Sequence, residues 1–457
     1  MRKLFGTDGI RGVAGVAPLD ETTVYAVGLA LAHSLRPLSI TPRVVAGRDT
    51  RESSGWILQM LAAGLRSGGA ELVSAGVLPT PAVAYLTRRH GFQAGVVISA
   101  SHNPWQDNGI KLFGGDGFKL ADGVELAIED VIFRHAITAI APPLDSLPAL
   151  IDEPKYAAEY LGFLKSLVPG LSLAGQRIVV DCAHGAATGI AQELFGALPG
   201  NPPGGFGGDL LLINTSPTGR NINDHCGALH PDAVAAAVVE HRADLGITLD
   251  GDADRCLFAG ARNNVMNGDA ILLLCARDMA SRGLLTGNLV VATTMSNMGL
   301  EAALRRSGIA MLRANVGDRY VLETMQQHDA ALGGEQSGHL LFPHLATTGD
   351  GLLTALVVLE TLARSAKSME ALTDDLRVYP QVIVNVKVRE KLPLQGFPAI
   401  AETIRQAESA LAGTGRVVIR YSGTEALARV MIEAESEAAM RLHAEAIAGA
   451  IRAELGA

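Results

Sequence analysis

Aromatic side chains are scarce in this sequence: Phe, Trp and Tyr make up 4% of 457 residues, and only two are tryptophan. Its cores must therefore be aliphatic and alanine-rich, and 48% apolar residues supply enough material for several of them. Cysteine is equally sparse. Cys182, Cys226, Cys256 and Cys275 form no C-x-x-C pair, and four scattered thiols fit a reducing compartment. Cys182 and Cys275 lie in apolar runs and read as small core residues. There is no basic excess either. Against 38 Lys and Arg stand 47 Asp and Glu, a net charge of −9, so no nucleic-acid partner is expected. Phosphate binding would need a few basic residues converging locally. The longest nearly apolar stretches run to about ten residues, too short to span a bilayer. The opening Met1-Arg2-Lys3-Leu4-Phe5-Gly6-Thr7-Asp8 lacks the apolar core of a signal peptide. A cytoplasmic protein without a membrane partner is expected.

What the chain does have is glycine, 51 of them, and a recurring unit. An apolar, β-branched run ends in a polar or Gly-containing turn, and an alanine- and leucine-rich helical stretch follows. Examples start at Arg43, Ile178 and Leu289. Such strand–turn–helix units build α/β layers, and their recurrence hints at tandem domains on a shared plan. The end of the chain differs. Gln381–Val388 alternates as a strand, Val417–Arg420 and Leu427–Ala434 flank a turn, and a helix follows to Leu455. The expected architecture is three similar mixed α/β domains, 1–154, 155–260 and 261–369, followed by a smaller α+β domain, 370–457. The Gly- and Pro-rich stretch 198–208 reads as a surface loop.

Four loops carry chemistry. Ser99-Ala100-Ser101-His102-Asn103-Pro104 follows the buried-strand run Gly95–Ile98 and presents a serine at a strand end, with Lys111 nearby. A serine hydroxyl needs a base or a metal to become a nucleophile. Asp250-Gly251-Asp252-Ala253-Asp254-Arg255 puts three carboxylates at alternate positions, which repel one another unless a cation sits among them. Oxygen ligands favour Mg²⁺ or Ca²⁺. An EF-hand is rejected, because Arg255 stands where that loop needs Gly and Ala261 where it needs Glu. Gly333-Gly334-Glu335-Gln336-Ser337-Gly338-His339 follows Ala330-Ala331-Leu332, read as a strand end. If extended, it aims Glu335 and Ser337 the same way, able to take two sugar hydroxyls, with His339 available for proton transfer. Arg420-Tyr421-Ser422-Gly423-Thr424-Glu425, with Arg429 beyond, is a phosphate nest. Each loop alone is compatible with an ordinary polar turn. Together they form the inventory needed to move a phosphoryl group on a sugar phosphate.

These motifs, in this order, resemble the α-D-phosphohexomutases, and the likeness runs from about residue 3 to about residue 435. Leu4–Gly12, Asn221–Gly227 and Val316–Val321 resemble the bacterial branch acting on glucosamine phosphate. The resemblance implies a four-domain enzyme around a central cleft, with Ser101 as phosphoserine. It implies Mg²⁺ held by Asp250, Asp252, Asp254 and an oxygen on Ser101. Glu335 and Ser337 would hold sugar hydroxyls. Arg420, Ser422, Gly423, Thr424 and Arg429 would hold the phosphate that is not being transferred. Arg11, His102, Lys111, Arg255 and His339 would line the reacting centre, with Lys111 and His339 as proton-transfer groups. The expected reaction converts glucosamine 6-phosphate to glucosamine 1-phosphate through a hexosamine 1,6-bisphosphate, feeding amino-sugar synthesis, in a monomer or homodimer. Mannose or glucose phosphate is the same-class alternative. Two departures from the family pattern bear on substrate preference and loop rigidity: Ala426 where Pro is usual, and Ala228-Leu229 where two hydroxyl residues are usual. A sugar-phosphate-binding protein and a metal-dependent phosphatase are the readings from other classes.

Overall fold

The computed structural model describes residues 4–6, 8–135, 141–196, 209–422 and 426–457. The chain divides into two compact units, Met1–Thr293 with Leu312–Thr373, and Thr294–Met311 with Asp374–Ala457. Among the described residues no helix is long and apolar enough to cross a membrane.

The larger unit holds three sheets built alike. In the first, β1 (Ile10–Val13), β2 (Arg43–Arg48), β3 (Glu71–Val77), β4 (Ala94–Ile98) and β5 (Asp107–Gly114) lie in the order β1-β5-β4-β2-β3. The second contains β6 (Arg177–Asp181), β7 (Asp209–Ile213), β8 (Leu245–Leu249), β9 (Cys256–Gly260) and β10 (Val265–Met266), in the order β10-β9-β8-β6-β7. The third contains β11 (Leu289–Thr293), β12 (Ala310–Ala314), β13 (Leu332–Gly334) and β14 (Leu340–Leu341), in the order β12-β11-β13-β14. In each sheet the first and third strands of the repeat run parallel, and the fourth returns antiparallel beside the third. The recurrence expected from the sequence is therefore a shared topology.

Burial explains the sequence of the central strands. All five residues of β4 and all five of β8 are buried, so both read as continuous apolar runs rather than alternating ones. Glycines allow the closest helix contact, although Tyr160, Phe92, Phe113, Phe195 and Phe258 are fully buried in the cores. The helices Glu21–Leu35 and Ser54–Ser67 meet at Gly28 and Gly64, where an added Cβ would lie 2.2 Å from the Leu61 carbonyl oxygen and 2.1 Å from that of Tyr25. All four cysteines are buried free thiols.

The smaller unit contains one antiparallel sheet: β15 (Gln381–Lys387), β16 (Gly415–Tyr421) and β17 (Leu427–Ala434), in the order β15-β17-β16. The helix Glu437–Leu455 packs its buried residues, among them Ile447 and Ile451, into the core with Val430 and Ile432. β15 alternates as expected for a sheet with one covered face.

Two local expectations change. Leu332 begins β13 rather than ending a strand. The segment after it is a tight turn rather than extended chain, closed by the Gly338 N–H donating to the Glu335 carbonyl at 3.0 Å. Gly338 makes the turn possible: its φ is 92°, and a Cβ there would lie 2.5 Å from the Cys256 carbonyl oxygen. The stretch 198–208 lies outside the described residues.

Candidate active site

Three of the four chemical loops occupy one topological position. Ser101 lies between β4 and β5, Asp250–Arg255 between β8 and β9, and Glu335–His339 between β13 and β14. In every case this is the connection from the third strand of the repeat to the antiparallel fourth. The strand ends are buried and hydrogen-bonded, so each loop starts from a fixed point.

Ser101 is buried, with φ at 52°, in the left-handed region that a serine rarely adopts. Its Oγ donates to Asp250 Oδ2 at 2.5 Å and lies 3.2 Å from His102 Nδ1. Asp250, Asp252 and Asp254 are buried together, with ligand atoms all within 4.8 Å of one another. Burial first, then the neighbouring Asp254 and Asp252 carboxylates, hold the Asp250 carboxyl well above the usual range. Oδ1 of Asp252 and Oδ1 of Asp254 have no hydrogen-bond donor. Orphaned buried carboxylate oxygens are costly in a folded protein, and two of them within a cluster of three carboxylates suit a hard divalent cation.

The cationic side chains expected at this centre are present. Lys111, on β5, places Nζ 2.8 Å from Asp252, 3.2 Å from Asp254 and 3.1 Å from Asp8. Burial alone would lower its pKa, but these carboxylates outweigh it and hold the amine charged. Arg11, on β1, donates to the Ala100 carbonyl at 3.0 Å and to Asp8 at 2.5 Å. Arg255 has its backbone N–H on Asp250 at 3.1 Å and its guanidinium 3.8 Å from Asp254. His339 lies between Asp254, at 3.6 Å, and Asp318, at 3.4 Å. Burial opposes its charge, yet the two carboxylates raise it to about 10, so it is an imidazolium at neutral pH. His102 goes the other way: burial, then Arg255 and Arg11, lower it to about 4 and keep it neutral.

Glu335 accepts the Gly317 N–H at 3.0 Å on one oxygen and the Ser337 hydroxyl at 3.2 Å on the other. Turn geometry, rather than an extended strand, brings these two side chains together. In the smaller unit, Arg420 and Arg429 face each other directly across β16 and β17. Like charges opposite one another on adjacent strands are unfavourable unless an anion joins them. Arg429 Nη2 lies 3.5 Å from Ser422 Oγ, and Lys391 Nζ donates to the Ser422 carbonyl at 2.7 Å. Gly423 and Thr424 lie outside the described residues.

The structure adds groups that the motifs did not reveal. Asp8, Lys119 and Asp318 join Lys111, Asp254 and His339 in a closed ring of six alternating charges. Lys119 bridges Asp8 at 2.5 Å and Asp318 at 2.6 Å. Its members come from all three sheet repeats of the larger unit. Asn223 donates to the carbonyls of Ser101 at 2.9 Å and Asn103 at 3.1 Å. No spacing rule predicts such partners. The only available signal was the presence of Asp8, Asn223 and Asp318 within motif-like stretches.

Family comparison agrees along the whole chain. Four models of phosphoglucomutase/phosphomannomutase match: alpha/beta/alpha domain I at residues 2–138, domain II at 158–263, domain III at 267–379 and the C-terminal domain at 383–450. The chain belongs to the phosphoglucomutase/phosphomannomutase family, the α-D-phosphohexomutases, and is an enzyme of the isomerase class that moves a phosphoryl group within its substrate. Within that family it is 56% identical to the phosphoglucosamine mutase of Koribacter versatilis, over 100% of this chain and 98% of that one. A phosphoglucomutase/phosphomannomutase family protein from Burkholderia thailandensis shares the fold, with a TM-score of 0.75 and 24% identity over the full length of both chains. N-acetylphosphoglucosamine mutase from Aspergillus fumigatus, solved with GlcNAc-6P and magnesium, matches with a TM-score of 0.63 and 20% identity, over 99% of this chain and 96% of that one.

Proposed function

We propose that this enzyme interconverts glucosamine 6-phosphate and glucosamine 1-phosphate with Ser101 as the phosphoryl carrier. The observation that carries this reading is the Ser101 hydroxyl seated 2.5 Å from Asp250, at the mouth of a buried three-carboxylate cluster. Substrate choice rests on the full-length likeness to phosphoglucosamine mutases. In the forward half-reaction, the bond between Ser101 Oγ and phosphorus breaks as a bond from a sugar hydroxyl oxygen to phosphorus forms. The hydroxyl proton ends on the released Ser101 Oγ, relayed through side chains of the site, and the product is a hexosamine 1,6-bisphosphate. After the bisphosphate reorients, its other phosphoryl group returns to Ser101 Oγ.

Asp250, Asp252 and Asp254, with a phosphoserine oxygen, would hold Mg²⁺, which when bound supplies charge stabilisation at the transferring phosphoryl oxygens. The other roles fall to side chains. Lys111, 2.8 Å from Asp252, and His339, 3.6 Å from Asp254, enter as proton-transfer groups and positive charge beside the reacting centre. Neutral His102, 3.2 Å from Ser101 Oγ, is the group able to accept the serine proton when phosphate returns. Arg11 and Arg255 offset phosphoryl charge. Glu335 and Ser337 read sugar hydroxyls that must occupy equivalent places in both orientations. Arg420, Ser422, Gly423, Thr424 and Arg429 grip the phosphate at rest. We place these functions in domains 1–154, 155–260, 261–369 and 370–457, in a cytoplasmic enzyme whose partner is a small sugar phosphate.

The test compares kcat/KM for glucosamine, mannose and glucose 6-phosphates with a bisphosphate primer, with and without Mg²⁺. Glucosamine 6-phosphate should be fastest, and chelation should stop turnover. Faster turnover of mannose 6-phosphate would overturn the substrate choice, and full activity in excess chelator would overturn the metal assignment.

A further inference from the structure

We propose that Arg51 is a positioning residue that sets the Ser101 hydroxyl for phosphoryl transfer by clamping the backbone of its loop. The inference rests on Ser101 being the carrier.

Arg51 lies in the turn after β2, not in the serine loop, and its guanidinium is buried against the Asp49 carboxylate, both side chains being 0% exposed. All five of its N–H groups are engaged. Nε donates to Asp49 at 2.8 Å. Nη2 donates to the carbonyls of Ser101 at 3.0 Å and Asn103 at 2.8 Å. Nη1 donates to the carbonyls of Asp107, at 3.0 Å, and Pro104. Every acceptor other than Asp49 is a carbonyl of the single segment 101–107. A guanidinium is the one side chain whose planar fork can span four carbonyls at once.

Asp49 extends the grip to the other side of residue 101. Its Oδ2 accepts the Ser99 hydroxyl at 2.7 Å, and Ser99 Oγ accepts the Ser101 N–H at 2.9 Å. The peptide groups before and after Ser101 Cα are thus both tied to one buried ion pair. That explains how a serine persists at φ 52°, a conformation kept only where the surroundings over-determine it. Relaxation of that backbone would swing Oγ away from Asp250. Ser101 is a carrier that must return to the same place after each transfer, so fixing its backbone bears on rate rather than on substrate affinity.

The experiment uses the dephosphorylated full-length enzyme, glucose 1,6-bisphosphate as donor, and intact mass to follow phosphate uptake at Ser101 over time. Wild type should take up one phosphate. If it takes up none at Ser101, the carrier reading itself fails and this inference with it. Arg51→Lys keeps the charge and loses the fork. Its uptake should slow by about tenfold or more, while KM for the sugar phosphate stays within about twofold. Ser99→Ala cuts the second tie and should slow uptake by about threefold or more. A purely structural Arg51 would lower the melting temperature but leave uptake per folded molecule unchanged. Uptake within about twofold of wild type in folded Arg51→Lys overturns the proposal while leaving Ser101 as the carrier. Should Arg51→Lys not fold, Ser99→Ala decides by the same criterion.

Discussion

Ser101 and Ser422 both lie buried beside a strand end, yet different kinds of group surround them. Around Ser101 nearly every polar atom is buried and engaged: the backbone by Arg51, Ser99 and Asn223, the hydroxyl by Asp250. Around Ser422 the chemistry comes from long side chains on an antiparallel pair, with Arg420 exposed and Arg429 half-buried. The difference fits the roles proposed for the two loops. A group that makes and breaks a bond must be placed to a fraction of an ångström. A group that grips a resting phosphate, presented by either end of a sugar, gains from reach and charge and tolerates looser geometry.

Substitutions can break or sharpen this contrast. The largest effect is expected at Ser101→Ala, where interconversion should fall by about a thousandfold or more while sugar-phosphate binding, read by calorimetry, changes little. Lys119→Met removes the cation between the half-buried Asp8 and Asp318, which keep Arg11, Lys111 and His339 as neighbours, and should cost about 1–3 kcal/mol of stability in a denaturant titration. Arg429→Ala acts on the second region. Its signature should be a KM raised by about tenfold with kcat nearly kept, as for loss of a charge-assisted contact. A kcat loss as large as that of Ser101→Ala would erase the distinction between the two loops.

The smallest effect concerns pH. Burial, with help from Glu129 and Asp8 and against Lys119, raises Glu125 from 4.5 to about 7. A carboxyl raised on folding favours the folded state while protonated. Its contribution is full below about pH 4.5 and is lost as pH rises through about 7. Glu125→Gln should therefore be more stable than wild type at pH 8, by about 1–2 kcal/mol, and the gap should close on acidification towards pH 4.5.

The motifs made much of this legible. Loop chemistry is local: three aspartates at alternate positions, or Ser-His-Asn-Pro after a buried run, announce themselves in a few residues. Strand–turn–helix periodicity likewise led to the repeated α/β plan. The charge ring was not legible, because Asp8, Lys119 and Asp318 are distant in sequence and meet only when the larger unit packs. Arg51 was visible as part of a polar turn, but its target lies 50 residues on. The Glu335 segment could be read only conditionally as extended, because the glycines around it conceal whether the chain continues or reverses. Nor did spacing show that the three loops of the larger unit share one connection, since β14, two residues long, is too short to register as a strand.

The ring of six charges has a consequence for how this enzyme varies. Each member has an oppositely charged neighbour on both sides, so losing one leaves a surplus charge that partial exposure only partly screens, whereas losing an adjacent acid and base together leaves the balance intact. Lys119 and Asp318, 2.6 Å apart, are the pair best placed to depart in company. Removing both should cost less than the two single losses added together.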